Sequence, residues 1–478
     1  MIGDVLTCGR VGGAGGLADG IEMQRVDIDA ATFPDAICND GSGPVFYFRP
    51  ATDPGSADRW VIQLQGGGGC HSGESCAERW CMVDTGFSMT QMSSDAAPTS
   101  GIDGKGIMDA RPVNPLGHWN HVFIRYCSSD SWVGVEADVD LQTTVEGPLS
   151  DYRIHFLGSR VLDAAIDALR RDGTPPLDYT QGGATVVMPD LDDAEVVLLA
   201  GASAGGQGVT SNVDRIADHL QANNTGCGGG GCPLQVVALI DSAFAPALAQ
   251  FDFSVSVPCT DEGLCDYQSI VASSDSLFTR RGDASCVEWH QANAPATAWQ
   301  CIDAGHVIRQ HISTPFFIRM GQEDALLSSA YVNSRYAIQG QGLLDLAGFA
   351  ELVRSEVADL SNIQTTADEG AAITVLPGAF SPSCSEHETL RNNPQTFSAM
   401  IEVAGVSKLF FDTMGGWLSG SSPSVAITPL AGVEICPGAV EVPTLSPGML
   451  SILMLCMGVS ILLVLRHRAA GGKAGRAR

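Results

Sequence analysis

One stretch near the middle of the chain restricts the fold more than any other. The apolar run Glu195–Ala200 is followed at once by Gly201-Ala202-Ser203-Ala204-Gly205, and Gly208–Leu220 then carries apolar residues at helical spacing. Only small residues flank the serine, as a strand requires when it turns sharply into a helix. The stretch predicts a buried strand, a tight turn and a helix, with the Ser203 oxygen held above one end of a sheet.

Short apolar runs recur along the chain and alternate with helical stretches, such as the one predicted over Phe156–Arg171. The other runs are Trp60–Leu64, His121–Tyr126, Leu234–Ile240 and Pro315–Met320. Strands separated by helices predict an α/β fold of the α/β-hydrolase type, with a mostly parallel sheet and helices on both faces. With 45% hydrophobic residues the chain can bury a large core, which excludes intrinsic disorder for most of it.

The pentapeptide around Ser203 predicts a nucleophile, since G-x-S-x-G between a strand and a helix is typical of serine hydrolases. An ordinary glycine-rich turn is the alternative. Enzymes of this architecture order their catalytic residues as serine, acid, histidine. The acid is expected just after the strand Pro315–Met320, where Asp324 and Glu323 compete on spacing, and His387 is then the histidine left downstream in the body. The predicted mechanism has His387 take the Ser203 proton while Asp324 orients the imidazole.

A second glycine-rich segment, Gly66–Gly69, follows the strand Trp60–Leu64. Backbone N–H groups there can approach a substrate closely, and we expect those of Gly67 and Gly68 to form an oxyanion hole with Ala204. A phosphate-binding role is weaker, because no Lys-Ser/Thr pair or G-x-G-x-x-G pattern follows.

Fifteen cysteines indicate an oxidising compartment. Metal-ligand residues occur together in Cys70-His71 with Cys76 and Cys81, and in Cys227 with Cys232. Setting aside Cys456 in the apolar C-terminal run leaves an even count, which favours disulfides, with a tight local bridge between Cys227 and Cys232. We therefore predict no metal and no cofactor.

The C-terminal region has the pattern of a membrane anchor. Residues Met449–Leu465 carry no charge over a length at the short end for a membrane-spanning helix, and a basic tail without acids follows. With Val442–Ser446 before it, the order of motif, span and tail resembles the IPTL-type C-terminal sorting signals of bacterial surface proteins. That resemblance implies a membrane sorting protease that removes the tail.

Charge and the N-terminus add to this prediction. A net charge of −28 is a poor match for nucleic acid, so no nucleic-acid partner is expected. Residues Met1–Gly20 have neither the basic nor the apolar part of a signal peptide. Since export is expected, we infer that a signal peptide is encoded upstream of Met1. The predicted location is the cell surface, either anchored in the membrane or released after C-terminal processing.

Five segments in order resemble the pectin acetylesterase / Notum carboxylesterase family over about residues 35–412. They are Leu64–Cys70, Arg125–Trp132, Gly201–Gly206, Gln322–Ala325 and Cys384–Glu388. The resemblance implies an exported, disulfide-stapled serine carboxylesterase acting on acetyl or longer acyl esters of polysaccharides, proteins or lipids. It also implies Ser203, Asp324 rather than Glu323, and His387 as the triad, and Gly67 and Gly68 as oxyanion donors. Four cysteines fit a nested pair of bridges by the same resemblance: Cys259, Cys265, Cys286 and Cys301.

One departure from the family concerns the acyl pocket. Family members usually carry Trp in the glycine loop, where this chain has Gly68 and Gly69, so the acyl-chain preference is open. Two other functions also remain open, a catalytically silent surface-binding protein on the same fold and a metal-dependent hydrolase using the Cys/His cluster.

We expect four parts along the chain. They are an irregular N-terminal segment (1–26), a carboxylesterase catalytic domain (27–414), a linker rich in Gly, Ser and Pro (415–441), and a C-terminal segment (442–478) with sorting motif, membrane span and basic tail.

Overall fold

A nine-stranded sheet forms the centre of the structure, a computed structural model. The model describes residues 1–6, 17–81, 89–145, 147–170, 178–181, 184–228, 231–246, 251, 277–333, 337–338, 342–363, 369, 375–391, 400–403, 406–420 and 425–427. These residues all belong to one compact unit, Met1–Pro437.

The described strands are β1 (Gln24–Asp27), β2 (Val45–Arg49), β3 (Arg59–Leu64), β4 (Asn120–Ile124), β5 (Glu136–Thr143), β6 (Ser150–Phe156), β7 (Asp178–Gln181), β8 (Ala184–Val187), β9 (Val196–Ala202), β10 (Gln235–Asp241), β11 (Phe316–Arg319), β12 (Ala337–Ile338), β13 (Gly342–Leu343), β14 (Gly378–Ser381), β15 (Met400–Val403), β16 (Val406–Leu409) and β17 (Val425–Ile427). The described α-helices are α1 (Ile2–Val5), α2 (Gly73–Cys81), α3 (Gly158–Leu169), α4 (Ala204–Asn223), α5 (Ala284–Asn293), α6 (Ala304–Gln310), α7 (Ala325–Asn333), α8 (Leu346–Asp359) and α9 (Phe410–Leu418). Short 3₁₀ helices cover Pro54–Ser56, Met89–Gln91, Gly106–Met108, Leu191–Asp193, Pro295–Ile302 and Leu360–Asn362.

The central sheet has the order β1-β2-β4-β3-β9-β10-β11-β14-β17. In this sheet order the strands run parallel from β4 through β3, β9, β10, β11 and β14 to β17, and β1 and β2 add an antiparallel edge. In the described residues, four two-stranded antiparallel ribbons lie outside this sheet: β5-β6, β7-β8, β12-β13 and β15-β16. The predicted α/β fold with a mostly parallel sheet is confirmed.

Alternate side chains of the inner strands enter two different cores, one on each face of the sheet. In β9, Val197 and Leu199 belong to the core that includes α3, α4 and α8, whereas Leu198 and Ala200 belong to the core that includes α9. Burial on both faces explains why these strands read as continuous apolar runs in the sequence, and it confirms helices on both sides.

The parallel strands all end at one edge of the sheet, and the predicted site residues follow these ends. The glycine loop follows β3, Ser203 follows β9, Asp324 follows β11 and His387 follows β14. This edge is where sheets of this type bind their ligands.

Every cysteine among the described residues is disulfide-bonded. The described bridges are Cys38–Cys127, Cys70–Cys76, Cys227–Cys232 and Cys286–Cys301, and Cys81 and Cys384 are bonded as well.

Three predictions about the cysteines have outcomes in these bridges. The local Cys227–Cys232 bridge is confirmed. The nested pairing is wrong, because Cys286 is bonded to Cys301, while Cys259 and Cys265 lie outside the described residues. The metal-ligand reading of Cys70, Cys76 and Cys81 is also wrong, because a sulfur held in a disulfide is no thiolate ligand.

The domain boundaries predicted from composition need correction at both ends. At the N-terminal end, β1 begins at Gln24, within the segment expected to be irregular. At the C-terminal end, α9 and β17 occupy part of the predicted linker, and β17 pairs with β14 in the central sheet. The buried side chains of Trp417 and Ala426 anchor these elements. The surrounding Gly, Ser and Pro residues indicate a linker in the sequence, so composition alone did not predict them.

The predicted membrane span Met449–Leu465, the sorting motif and the basic tail lie outside the described residues. Within the part of the chain that is described, we find no helix with the length and apolar character needed to cross a bilayer.

Candidate active site

Ser203 occupies a strained turn between β9 and α4. Its backbone has φ 56° and ψ −124°, a region that residues with a side chain rarely adopt. The neighbours have no room for a Cβ: one on Gly201 would lie 2.2 Å from the Gly205 carbonyl oxygen, and one on Gly205 would lie 2.3 Å from that of Leu64. The small residues around Ser203 thus let the turn pack against β3, and they leave the serine itself half-buried.

His387 and Asp324 are in direct contact. Both carboxylate oxygens of Asp324 lie near His387 Nδ1, at 2.9 and 2.8 Å. Asp324 is fully buried and also accepts hydrogen bonds from the N–H groups of Leu326 and Leu327 in α7, which fix its carboxylate. Glu323 instead accepts a hydrogen bond from Ser383, so Asp324 is the acid that faces the imidazole.

The environment of His387 favours its protonated form. Burial alone would lower the pKa of this imidazole, but the hydrogen bond from Nδ1 to Asp324 and the charge of that carboxylate outweigh it. The net result is a pKa of His387 above the ordinary histidine value. Its other nitrogen, Nε2, is buried and has no hydrogen-bond partner among the described residues.

Asp241, at the end of β10, ties the Ser203 turn to the His387 segment. Its carbonyl oxygen accepts a hydrogen bond from the Ser203 N–H at 2.9 Å. Its carboxylate accepts hydrogen bonds from the N–H groups of Thr389 at 2.7 Å and Leu390 at 3.0 Å. Within the described residues no hydrogen bond joins Ser203 Oγ to His387 Nε2, and Asp241 connects the two segments through their backbones. Such contacts are often loose without substrate.

Arg319, at the end of β11, is a buried cation beneath this arrangement. Its Nη1 lies 3.3 Å from Asp241 Oδ1 and donates to the carbonyl oxygens of Glu386 at 3.1 Å and His387 at 3.4 Å. Sequence reasoning missed Arg319 and Asp241, because each is the last residue of an apolar strand. A charge at the end of an otherwise apolar run was the available signal.

The glycine loop Gly66–Gly69 lies against both the serine turn and the histidine segment. A Cβ on Gly66 would lie 2.5 Å from the Ala202 carbonyl oxygen and 2.6 Å from Glu388 Oε1. The loop therefore lies against the residue before Ser203 and the residue after His387.

Three backbone N–H groups in this region are available to a ligand. Those of Gly67, Gly68 and Ala204 donate to no acceptor within the described part of the chain. Gly67 has φ +144° and a Cβ there would lie 2.4 Å from Gln91 Nε2, so this position requires glycine. The Gln91 side chain also donates to the Gly66 carbonyl oxygen at 3.2 Å, which fixes the loop from behind.

The segment Arg125–Trp132 supports the loop. Trp132 is fully buried and its Nε1 donates to the Gln65 carbonyl oxygen at 3.1 Å. Asp130 accepts a hydrogen bond from the Gly158 N–H at the start of α3, and burial raises the pKa of its carboxyl to about 6. These residues hold the base of the site.

Comparisons with known proteins identify a family and similar structures. A sequence model of the family described as Pectinacetylesterase matches residues 18–432. The chain is 29% identical over 376 residues to the palmitoleoyl-protein carboxylesterase notum1' of Xenopus laevis, an alignment that covers 77% of this chain and 63% of that protein. It is 34% identical over 189 residues to the NOTUM palmitoleoyl-protein carboxylesterase of Mus musculus, covering 38% of this chain and 30% of that one. The chain thus spans somewhat less than two-thirds of the length of the Xenopus relative.

Solved structures show the same fold. The Drosophila Wnt deacylase Notum, in its crystal form II, aligns with a TM-score of 0.59 at 22% identity, covering 84% of this chain and 95% of that one. A second crystal form aligns with a TM-score of 0.56 at the same identity, covering 85% and 98%.

Replacing Arg319 tests its role beneath the site. Arg319→Leu would leave the fully buried Asp241 carboxylate without its cation, and breaking a buried pair in this way costs about 3–5 kcal/mol. We expect the free energy of unfolding in urea to fall by that amount. Arg354→Leu is the matched control, because Arg354 pairs with an exposed Glu351, and its loss should cost less than about 1 kcal/mol. Equal losses in the two variants would contradict the role given to Arg319.

Proposed function

The chain belongs to the pectinacetylesterase family, and from this premise we propose that it is a serine carboxylesterase in which Ser203, His387 and Asp324 form the catalytic triad. The observation that carries the proposal is the His387–Asp324 contact. It leaves Nε2 buried and without a hydrogen-bond partner in the described part of the chain, at the end of the sheet that also bears Ser203. The names of the relatives, which are carboxylesterases, support the same class of reaction.

In the proposed reaction, His387 Nε2 takes the proton from Ser203 Oγ as that oxygen attacks the ester carbonyl carbon. Asp324 keeps the Nδ1–H of His387 oriented and stabilises the imidazolium. The negative charge on the former carbonyl oxygen is stabilised by the N–H groups of Gly67, Gly68 and Ala204. His387 then gives its proton to the departing alcohol, which leaves Ser203 acylated.

The second half of the reaction restores the enzyme. A water molecule attacks the acyl carbonyl carbon while His387 Nε2 takes a proton from it. The bond to Ser203 Oγ breaks, the serine oxygen regains the proton from His387, and the carboxylic acid leaves. The same N–H groups stabilise the second oxyanion, so both steps use one geometry.

The proposed substrates are acyl esters on polysaccharides, proteins or lipids. The family description names a pectin acetylesterase, and the relatives are named for palmitoleoyl-protein esters, so both short and long acyl groups are represented. This chain has Gly68 and Gly69 in the glycine loop, so its acyl-chain preference has to be measured.

A substitution of the proposed nucleophile tests the function. Ser203→Ala should lower the hydrolysis of p-nitrophenyl esters by at least about 10³-fold and abolish labelling by a fluorophosphonate, because the attacking oxygen is gone. The measurement runs over esters from acetate to palmitate, and the wild-type rates give the acyl-chain preference. Ser211→Ala, a serine further along α4, is the matched control and should keep full activity. Hydrolysis that survives Ser203→Ala would contradict the proposal.

The pH dependence tests the acid. Because the pKa of His387 is raised and its neutral form is the base, we expect kcat/KM to fall with decreasing pH around a midpoint above the ordinary histidine value. In Asp324→Asn the raising influence is removed and burial remains, so the midpoint should shift to lower pH, and kcat should fall roughly 10⁴-fold. Glu323→Gln is the control, since Glu323 contacts Ser383 instead, and its profile should match the wild type. A shift in the control but none in Asp324→Asn would reverse the assignment.

We also propose export to the cell surface, with a C-terminal membrane anchor over Met449–Leu465 that a sorting protease removes. The disulfide bonding of every described cysteine supports export, because such bonds persist in oxidising compartments. In a host without the sorting protease, the full chain should sediment with membranes, whereas a chain ending at Pro437 should stay in the supernatant. Equal distribution of the two chains would contradict the anchor.

A further inference from the structure

Three histidines and one glutamate meet in the connection between β10 and β11. His290 lies in α5, His306 lies in α6 and His311 directly follows α6, whereas Glu369 comes from a segment after α8. The Nε2 atoms of His290 and His306 are 3.2 Å apart. Glu369 Oε2 lies 3.4 Å from Nε2 of His290, 3.1 Å from that of His306 and 3.2 Å from that of His311. These four atoms therefore lie in one tight cluster.

The spacing of these four atoms matches the ligand shell of a zinc ion. Zinc binds imidazole nitrogen and carboxylate oxygen at about 2.0–2.2 Å in tetrahedral geometry, which places neighbouring ligand atoms about 3.3–3.5 Å apart. Four of the six separations among these atoms are 3.1–3.4 Å, close to that edge length. A shift of a few tenths of an ångström would complete the shell.

Hydrogen bonds already fix two of the imidazoles in the form that binds a metal. The Thr297 hydroxyl donates to the Ala294 carbonyl oxygen at 3.0 Å, so His290 Nδ1, also 3.0 Å away, donates to Thr297. The Ser285 hydroxyl donates to Asp283 at 2.7 Å, so His311 Nδ1 donates to Ser285 at 3.1 Å. With the proton on Nδ1, each Nε2 presents a lone pair to the centre. Histidines that bind zinc are held in this form by the same kind of hydrogen bond from their other ring nitrogen.

The four side chains are largely withdrawn from water. Those of His290 and His311 are fully buried, and those of His306 and Glu369 are 12% and 20% exposed. With Nδ1 of His290 and His311 donating outward, their neutral rings present lone pairs rather than protons to Glu369. A divalent cation would satisfy the carboxylate and the lone pairs together.

A cysteine beside the histidines has a different role. Cys286 Sγ lies within reach of the three imidazoles, but it is bonded to Cys301 and therefore offers no thiolate. The bridge fixes α5 to the 3₁₀ helix Pro295–Ile302, which carries Thr297. Glu369 is the fourth ligand.

We propose that this chain binds one structural zinc ion through Nε2 of His290, His306 and His311 and Oε2 of Glu369. Four protein ligands close the tetrahedral shell, so the ion has no open position for substrate or water. The site clamps α5 and α6 of the β10–β11 connection to the segment after α8. It is separate from the proposed triad and goes beyond the esterase function.

The direct test is the zinc content of the purified full chain, measured by mass spectrometry after dialysis against zinc-free buffer. About one zinc per chain is expected, and Co²⁺ in its place should give the intense visible absorption of a tetrahedral site. Removal of zinc with a chelator should lower the midpoint of thermal unfolding, and added Zn²⁺ should restore it. Less than about 0.1 zinc per chain, with no effect of Zn²⁺ on the unfolding midpoint, would overturn the proposal.

Variants locate the ion. His306→Gln and Glu369→Gln should each weaken zinc binding at least about 100-fold, and Thr297→Val, which only removes the outer contact of His290, about 10-fold. His118→Gln, an exposed histidine elsewhere, is the matched control and should bind zinc like the wild type. Ser203→Ala should also keep its zinc, which separates this site from the esterase function. Unchanged zinc binding in Glu369→Gln and Thr297→Val, both conservative changes, would place the ion elsewhere and overturn the assignment.

Discussion

The register between β10 and β11 is the constraint on which the site depends. It places Asp241 opposite Arg319, and their buried side chains form an ion pair. A slip of one residue would turn Arg319 to the other face of the sheet, because side chains alternate along a strand. Without that pair, Asp241 could no longer support both the Ser203 turn and the segment that carries His387.

A buried ion pair is stabilising only when its remaining hydrogen-bonding capacity is used. Asp241 meets this condition through Thr389 and Leu390, and Arg319 meets it through the carbonyl oxygens around His387. The carbonyl oxygen of the same Asp241 accepts a hydrogen bond from the Ser203 N–H, at a turn whose strained φ and ψ cost about 1–3 kcal/mol. The cost of the strained turn is offset by the polar network beneath it, and the network thereby fixes the position of the serine.

The sequence predicted those features whose signals are local. Buried parallel strands read as apolar runs, and small residues around Ser203 marked the sharp turn. The choice between Asp324 and Glu323 could not come from spacing, since both follow β11 by a few residues. In the structure Asp324 is hydrogen-bonded to His387 and to the start of α7, whereas Glu323 is hydrogen-bonded to Ser383. Composition also failed beyond residue 414, where a few buried side chains hold elements that a Gly- and Ser-rich stretch conceals.

Features that depend on distant residues could not be predicted from the sequence. Arg319 and Asp241 are 78 residues apart and are each an ordinary strand end until the sheet pairs them. The same holds for the three histidines of the proposed zinc site, because Glu369 lies 58 residues beyond His311 and no short motif contains all four ligands. Such clusters exist only through the topology that brings their segments together.

The proposed zinc clamp and the triad share one connection. Asp241 ends β10 and Asp324 follows β11, so the chain between them must return to the sheet in a fixed register for Arg319 to reach Asp241. That chain is long and includes α5 and α6. A long connection alone fixes the register weakly, because a shift of one residue hardly changes the entropic cost of closing a long loop. Two cross-links would leave fewer residues of this connection unconstrained. One is the Cys286–Cys301 bridge, and the other is a metal bound by His290, His306 and His311. The proposed zinc site therefore takes no part in ester hydrolysis. It stabilises the pairing of β10 with β11, on which the positions of the proposed catalytic serine, histidine and aspartate depend.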